Sequence, residues 1–245
     1  MKRFALIPTL LLAVVAVPLF GQSKYEMDTL KSAEGNILIS FLGHGSVMFE
    51  FKGKVIYVDP VSRYGDFSKM PKADLILVTH EHGDHLDSAA IEGCRTEKTK
   101  ILCTAACLPK ARGGSVMKNG ETLTIGGVKI EAVPAYNLVH VRSEGVPFHA
   151  KGNGNGYVLT LGGKRIYTAG DTENVPEMSD LGTIDVAFLP MNLPYTMTPE
   201  MVAEAAKRMQ PKILYPYHFG KTDTALLVSL LKDEKKIEIR IRKMQ

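Results

Sequence analysis

The sequence predicts an α/β protein built from two similar β-rich halves packed together, with helices on the outside. Short β-type runs follow one another in quick succession from Asn36 onward, separated by glycine turns, and helical patterns are few. The segment Gly53-Lys54-Val55-Ile56-Tyr57 is echoed by Gly163-Lys164-Arg165-Ile166-Tyr167. These copies are followed, 21 and 22 residues after their glycines, by the apolar runs that open at Asp74 and Asp185. In each copy a hairpin strand ends at or near an aspartate, Asp59 or Asp171, and a loop leads to a buried strand. Two such units packed together would let loops at one common edge converge on a site.

Taken in order, the chain opens with Lys2 and Arg3, an uncharged and mostly apolar stretch from Phe4 to Phe20, and the small residue Gly21. That is the layout of a signal peptide over 1–21, followed by one domain over 22–245 and implying a periplasmic or secreted protein. The competing reading is a retained membrane anchor, but Pro8 and Pro18 weaken a spanning helix and about 17 residues is short for one. No cysteine follows the run to accept a lipid, and no second spanning candidate exists, so no stable membrane insertion is expected after cleavage.

Strands are predicted at Ile37–Phe41, Val47–Phe51, Val55–Asp59, Asp74–Thr79 and Ile101–Thr104, and again at Glu121–Ile125, Val128–Val133, Tyr157–Leu161 and Arg165–Ala169. Gly126-Gly127 and Gly162-Gly163 mark hairpin turns. The clearest helix runs from Thr198 to Met209. Thr198 caps it, Pro199 suits its first turn, Met201, Val202, Ala205 and Met209 form an apolar stripe, and Pro211 stops it. A second helix is predicted from about Asp223 to Lys232.

Composition bounds the function. The hydrophobic fraction of 45% suits a soluble core. Removing 1–21 deletes two positive charges and lowers the formal net charge from +4 to +2, too mild for nucleic acid or an anionic membrane surface. Cys94, Cys103 and Cys107 match no zinc-knuckle spacing and read as small buried apolar groups, although an oxidising compartment would allow one pair among them.

Three of the seven histidines fall in Val78-Thr79-His80-Glu81-His82-Gly83-Asp84-His85. Neutral imidazole and carboxylate are the side chains that hold zinc and related ions, and gathering them on one turn costs little loop-closure entropy. Gly83 lets the chain turn sharply enough for His82 and His85 to face a common point. The helical protease motif is absent, because Asp84 stands where its second histidine would be.

The order His-x-His-x-Asp-His at the end of an apolar strand resembles the metallo-β-lactamase superfamily, and within it the branch of ascorbate-phosphate-lactonase-like and phospholipase-D-like metal-dependent hydrolases. The similarity runs from Phe41-Leu42-Gly43-His44 to His218. It implies a four-layer αβ/βα sandwich with the metal centre at one edge of the two sheets. By this resemblance His80 and His82 serve one metal, Asp84, His85 and His218 the other, and Asp171 both, with Asp59 supporting the site from behind. The third histidine of the first metal is displaced: Asn137 occupies its place in Val133-Pro134-Ala135-Tyr136-Asn137, and His140 and His149 follow downstream. His149 is favoured, because the run Gly152-Asn153-Gly154-Asn155-Gly156 could fold it back over the site, whereas His140 lies in a strand-like run. Asn137 as ligand would instead favour manganese.

The implied activity is hydrolysis of an ester, lactone or phosphodiester by metal-activated water, acting on a small-molecule substrate. Two zinc ions are expected, with manganese or iron as alternatives. Asp84 would orient the water and take its proton, His44 on an early loop would contact substrate or donate a proton, and Tyr195 and Lys151 are within conceivable reach. The rival readings are an iron-containing oxidoreductase of the same superfamily and a degenerate metal-binding module.

Overall fold

The structure is a computed structural model that describes residues 24–244. The predicted leader over 1–21 lies outside the described residues. The first sheet contains β1 (Glu26–Ser32), β2 (Gly35–Gly43), β3 (Ser46–Phe51), β4 (Lys54–Val58), β5 (Leu75–Leu77), β6 (Lys100–Cys103) and β7 (Ser115–Val116), in that spatial order. The second begins with β8 (Thr122–Ile125) and β9 (Val128–Ala135). A separate hairpin, β10 (Val141–Ser143) and β11 (Val146–Pro147), then intervenes before β12 (Gly154–Leu161), β13 (Lys164–Thr168), β14 (Val186–Pro190), β15 (Ile213–Tyr217) and β16 (Glu238–Ile239). Among the described residues three α-helices accompany them: α1 (Ser88–Cys94), α2 (Pro199–Met209) and α3 (Thr224–Leu230).

The predicted duplication extends to strand direction. In each sheet four strands pair antiparallel and the next three add in parallel, and the β10–β11 hairpin is an insertion in the second copy. It extends to individual hydrogen bonds as well. Asp74 accepts from the Val55 N–H at 3.0 Å and from the Lys54 ammonium at 2.8 Å. Asp185 likewise accepts from the Arg165 N–H at 3.0 Å, with Lys164 Nζ at 3.5 Å. The aspartate that opens each buried strand thus staples it to the preceding hairpin.

Side-chain alternation explains the layering. Ile56, Val58, Leu75, Leu77 and Leu102 face the second sheet, while Tyr57, Ile76, Val78, Ile101 and Cys103 face outward onto Ala90, Ile91 and Cys94 of α1. Between the sheets, Phe41 and Phe49 meet Phe188 with ring centroids 6.2 and 6.0 Å apart, and Phe41 meets Tyr215 at 4.9 Å. The second sheet shares its apolar cluster with Val202, Ala203, Ala205 and Ala206 of α2. This is the four-layer αβ/βα sandwich. Thr198 caps α2 by accepting from the Met201 N–H, and the helix ends at Met209 with Gln210 in the left-handed region before Pro211. Asp28 of β1 ties the two sheets at one margin, accepting from the Tyr215 hydroxyl, from Arg240 at 3.2 Å and from Arg242 at 2.8 Å.

Several expectations change. β1 and α1 were not legible as elements. Only the start of the glycine run 152–156 turns the chain after His149, with Gly152 at a φ of 90°. Gly154 and Gly156 already begin β12, and a Cβ on either would strike Ala135 O or Ala169 O at 2.7 and 2.9 Å. These glycines permit close backbone packing. His140 is not in a strand, since its N–H bonds the Glu173 carboxylate before β10 begins. The three cysteines are buried and unpaired. No helix among the described residues is long and apolar enough to cross a membrane.

Candidate metal centre

Strand directions decide which loops meet. β2, β4 and β5 run one way in the first sheet, and β9, β13 and β15 run a common way in the second. The candidate residues all follow the carboxyl ends of these strands: His44 after β2, Asp59 after β4, His80 to His85 after β5, Asn137 to His149 after β9, Asp171 after β13 and His218 after β15. His44, Asp59 and His218 adopt positive φ values of 54°, 46° and 49°, which turn the chain abruptly at the strand ends. Such strained backbone clusters at functional sites.

Asp171 is the hub. Its Oδ2 lies 3.3 Å from His149 Nε2, 3.3 Å from His218 Nε2 and 3.9 Å from His80 Nε2, while its Oδ1 lies 3.3 Å from His85 Nε2. On one side, His82 Nδ1 is 3.1 Å from His80 Nε2 and 3.2 Å from His149 Nε2. On the other, Asp84 Oδ2 is 3.5 Å from His218 Nε2 and 3.1 Å from His44 Nε2. Donor atoms around a tetrahedral zinc with bonds of about 2.0–2.1 Å lie roughly 3.3 Å apart. The spacing of both groups fits a shared ion.

Unmet hydrogen-bonding capacity points the same way. His85 Nε2, Asp171 Oδ1 and His218 Nε2 are buried without a hydrogen-bond partner. Buried polar atoms are seldom left so, and here they converge on the acids and imidazoles that metals require. Outward partners fix the tautomers of His85 and His80, whereas the outward His218 Nδ1 is buried without a partner. His85 Nδ1 donates to Asp59 Oδ2 at 2.8 Å, leaving Nε2 free to bind. The Thr79 hydroxyl gives its hydrogen to Asp59 Oδ2 at 2.6 Å, so its contact of 3.0 Å with His80 Nδ1 has the ring as donor and again frees Nε2.

Between the two candidates for the displaced position, His149 faces the centre and Asn137 stands behind it. Asn137 Oδ1 accepts from His149 Nδ1 at 2.7 Å and from the His149 N–H at 2.8 Å. Its Nδ2 donates to Glu173 Oε1 at 3.0 Å and to Tyr195 O at 2.9 Å. An amide can accept on one side and donate on the other, which is why asparagine suits this place. Glu173 was missed in the sequence. Its buried carboxylate accepts backbone N–H groups from Leu138, Val139 and His140, each at 2.7 Å, and His140 Nδ1 at 2.7 Å. The signal was only its position two residues after Asp171 in Asp171-Thr172-Glu173, since its partners lie more than 30 residues away.

Electrostatics prepare the ligands. Burial pushes His80 and His82 below the ordinary histidine range, keeping them neutral as a metal requires. Burial opposes charge on His85 too, but the flanking Asp171 and Asp59 carboxylates win and raise it. Asp84 and Asp171 stay ionised against burial, Asp84 through the nearby His218 ring and its hydrogen bond with His44, Asp171 through His218 and His85. Burial likewise lowers His44.

A cavity of about 310 Å³ opens over the centre, lined by His82, Asp84, His149, Asp171 and His218 below and by Arg142, Phe148, Asn192 and Tyr195 around it. Lys151 is not in this lining. It pairs with Glu177 at 2.8 Å and meets the Tyr136 hydroxyl at 3.2 Å.

Residues 38–218 match the family described as the Beta-lactamase superfamily domain. Several curated relatives bear the name UPF0173 metal-dependent hydrolase. That from Thermococcus kodakarensis is 38% identical over 198 residues, spanning 75% of this chain and 85% of its own length. That from Pelotomaculum thermopropionicum is 33% identical over 192 residues, spanning 74% and 84%. The crystal structure of a chain designated a metal-dependent hydrolase from Parabacteroides distasonis superposes with a TM-score of 0.86 at 48% identity, covering 90% of this chain and all of that one. The chain belongs to the metallo-β-lactamase superfamily, in its family of metal-dependent hydrolases.

Proposed function

We propose that this chain is an exported hydrolase that cleaves a small-molecule ester, lactone or phosphodiester at a centre of two divalent ions, with zinc as the expected metal and manganese or iron as alternatives. The observation that carries the reading is Asp171, which shares its carboxylate between His80 and His149 on one side and His85 and His218 on the other. His80, His82 and His149 would hold one ion, Asp84, His85 and His218 the other, with Asp171 between them. Bound there, the ions supply a water of near-neutral pKa and a positive charge to polarise the group under attack.

The chain's own residues do the rest. Asp84 lines the cavity and its side chain is 44% exposed, so its carboxylate is accessible to orient water and receive its proton. His44 Nε2, 3.1 Å from Asp84 Oδ2, is the next station for that proton; its ring packs against His218 behind the cavity lining and does not itself face the cavity. Asp59 and Asn137 hold His85 and His149 in the tautomers that leave Nε2 free. The rival reading of the chain as a degenerate binding module draws on Asn137 in a ligand position; His149 Nε2, 3.3 Å from Asp171 Oδ2, supports the hydrolase reading over it.

Export is supported by the charged start at Lys2-Arg3 and the apolar stretch up to Gly21. Fractionation of expressing cells, with the mature N-terminus determined, tests it. For the activity, elemental analysis after incubation with zinc or manganese is combined with a panel of esters, lactones and phosphodiesters. Bound metal with turnover of at least one class is expected. Absence of bound transition metal, or metal loading without hydrolysis of any class, overturns the proposal.

A further inference from the structure

The duplicated topology isolates one addition. The turn between β2 and β3 in the first sheet is short, while its counterpart between β9 and β12 spans 136–153 and carries the β10–β11 hairpin. This insertion delivers His149 to the centre, and it also places Arg142 and Phe148 in the wall of the cavity. Among the described residues that line the cavity, Arg142 is the only lysine or arginine. Its guanidinium lies over the Phe148 ring, 5.6 Å from the centroid, and no carboxylate among the described residues pairs with it. Phe148 is braced edge-on by Tyr195, with ring centroids 5.1 Å apart.

Each of these features has a consequence for a ligand. Stacking on an aromatic face restricts the guanidinium while leaving its edge of N–H donors free, and that edge matches an oxyanion in bidentate fashion. The acids in the same cavity, Asp84 and Asp171, are engaged with the histidines and do not meet Arg142. The Phe148–Tyr195 pair offers an apolar wall directly beside the cation.

We propose that Arg142 forms an anion-recognising subsite, and that the substrate carries a carboxylate or comparable oxyanion separate from the bond being cut, with an apolar segment against Phe148 and Tyr195. This deepens the hydrolase reading and rests on it for the word substrate. The subsite itself can be tested without turnover.

The probes are p-toluenesulfonate and its neutral isostere, methyl p-tolyl sulfone, titrated into the zinc-incubated protein by calorimetry or NMR. A sulfonate is a poor metal ligand, so its binding reports on the cation. In the unaltered protein the sulfonate binds more tightly than the sulfone. Arg142→Gln weakens sulfonate binding about fivefold to tenfold and leaves sulfone binding unchanged, and added salt weakens only the sulfonate. Arg142→Lys keeps the charge without the fork and falls between. Equal binding of both probes to the unaltered protein, no binding of the sulfonate, or sulfonate affinity undiminished in Arg142→Gln at unchanged metal content overturns the proposal. Failure of every ester, lactone and phosphodiester to turn over would defeat the hydrolase reading while leaving these titrations interpretable.

Discussion

Replacing Asn137 by alanine separates orientation of a ligand from the ligand itself. The substitution removes the acceptor for His149 Nδ1 at 2.7 Å and for the His149 N–H at 2.8 Å, and it strips Glu173 of one of its donors. His149 is 7% exposed, so water cannot fully replace the lost partners. Leaving one such buried donor unmet costs about 1–3 kcal/mol. The ring is also released to rotate or change tautomer, which places the proton on Nε2, the atom that faces Asp171. Both effects fall on the metal-binding geometry, and loss of such a supporting partner lowers metal affinity about 10- to 100-fold, equivalent to roughly 1.4–2.7 kcal/mol. A chelator-competition titration with zinc should show one weakened site and one unchanged site. His149→Ala should weaken the same site further. Asn137→Asp should not rescue it, because the new carboxylate would face Glu173 where the amide now donates at 3.0 Å. If Asn137→Ala leaves both sites intact, His149 is oriented by something else. If it weakens both equally, the effect is on the fold and the tautomer argument fails.

Other perturbations test neighbouring parts of the structure. Asp84→Ala should lower turnover of the best substrate by more than about 100-fold, since it removes a ligand and the proton acceptor together; near-normal kcat would show that another group orients the water. Gly45→Ala should lower metal occupancy about tenfold in the same titration, because its Cβ would lie 2.7 Å from His85 Cε1 while Asp59 pins that ring; unchanged occupancy would mean the ring gives way freely. Asp28→Asn should destabilise the fold by about 2 kcal/mol at neutral pH in denaturant titrations, having lost its charge pairing with Arg242 and Arg240. Burial opposes ionisation of Asp28, but Tyr215, Arg242 and Arg240 hold its pKa below the ordinary range, so its contribution is present above about pH 4 and is lost as pH falls through the lowered value. The gap between variant and parent should therefore close in acid, and a gap that persists there would assign the effect to packing.

What could be read in the sequence depended on the range of the interactions involved. The α2 helix was legible because its cap, first-turn proline and apolar stripe all lie within twelve residues, Thr198 to Met209. The duplication was legible because the Gly53 and Gly163 segments repeat with Asp74 and Asp185 at nearly equal spacing, the spacing that lets both aspartates make the same staple to Val55 and Arg165. By contrast α1 spans only Ser88–Cys94 and contains Gly93, a poor helix former. That glycine is explained by the tertiary structure, where a Cβ would approach Ser68 N at 3.0 Å and Phe67 C at 3.1 Å. β1 was hidden for a related reason: its burial alternates between half-buried and exposed, so Glu26–Ser32 lacks a strong apolar signature.

The loop from 136 to 153 shows most clearly where local reading stops. Leu138-Val139-His140-Val141 has the composition of a strand, yet Glu173 captures the N–H groups of Leu138, Val139 and His140 that a strand would offer to a neighbour. A buried carboxylate needs several donors, and three consecutive backbone N–H groups plus an imidazole and an amide satisfy it at once. The chain is thereby held as a cradle with Leu138 and Val139 exposed, 53% and 69%, in place of a buried strand. The Asn137 amide, donating to the same carboxylate, has its oxygen turned toward His149. Glu173 is two residues beyond Asp171, so one short segment supplies both the carboxylate at the hub and the carboxylate that shapes the opposing loop. The displacement of histidine by Asn137 is then the consequence of a loop built around Glu173, with His149 brought in from twelve residues downstream to face the centre.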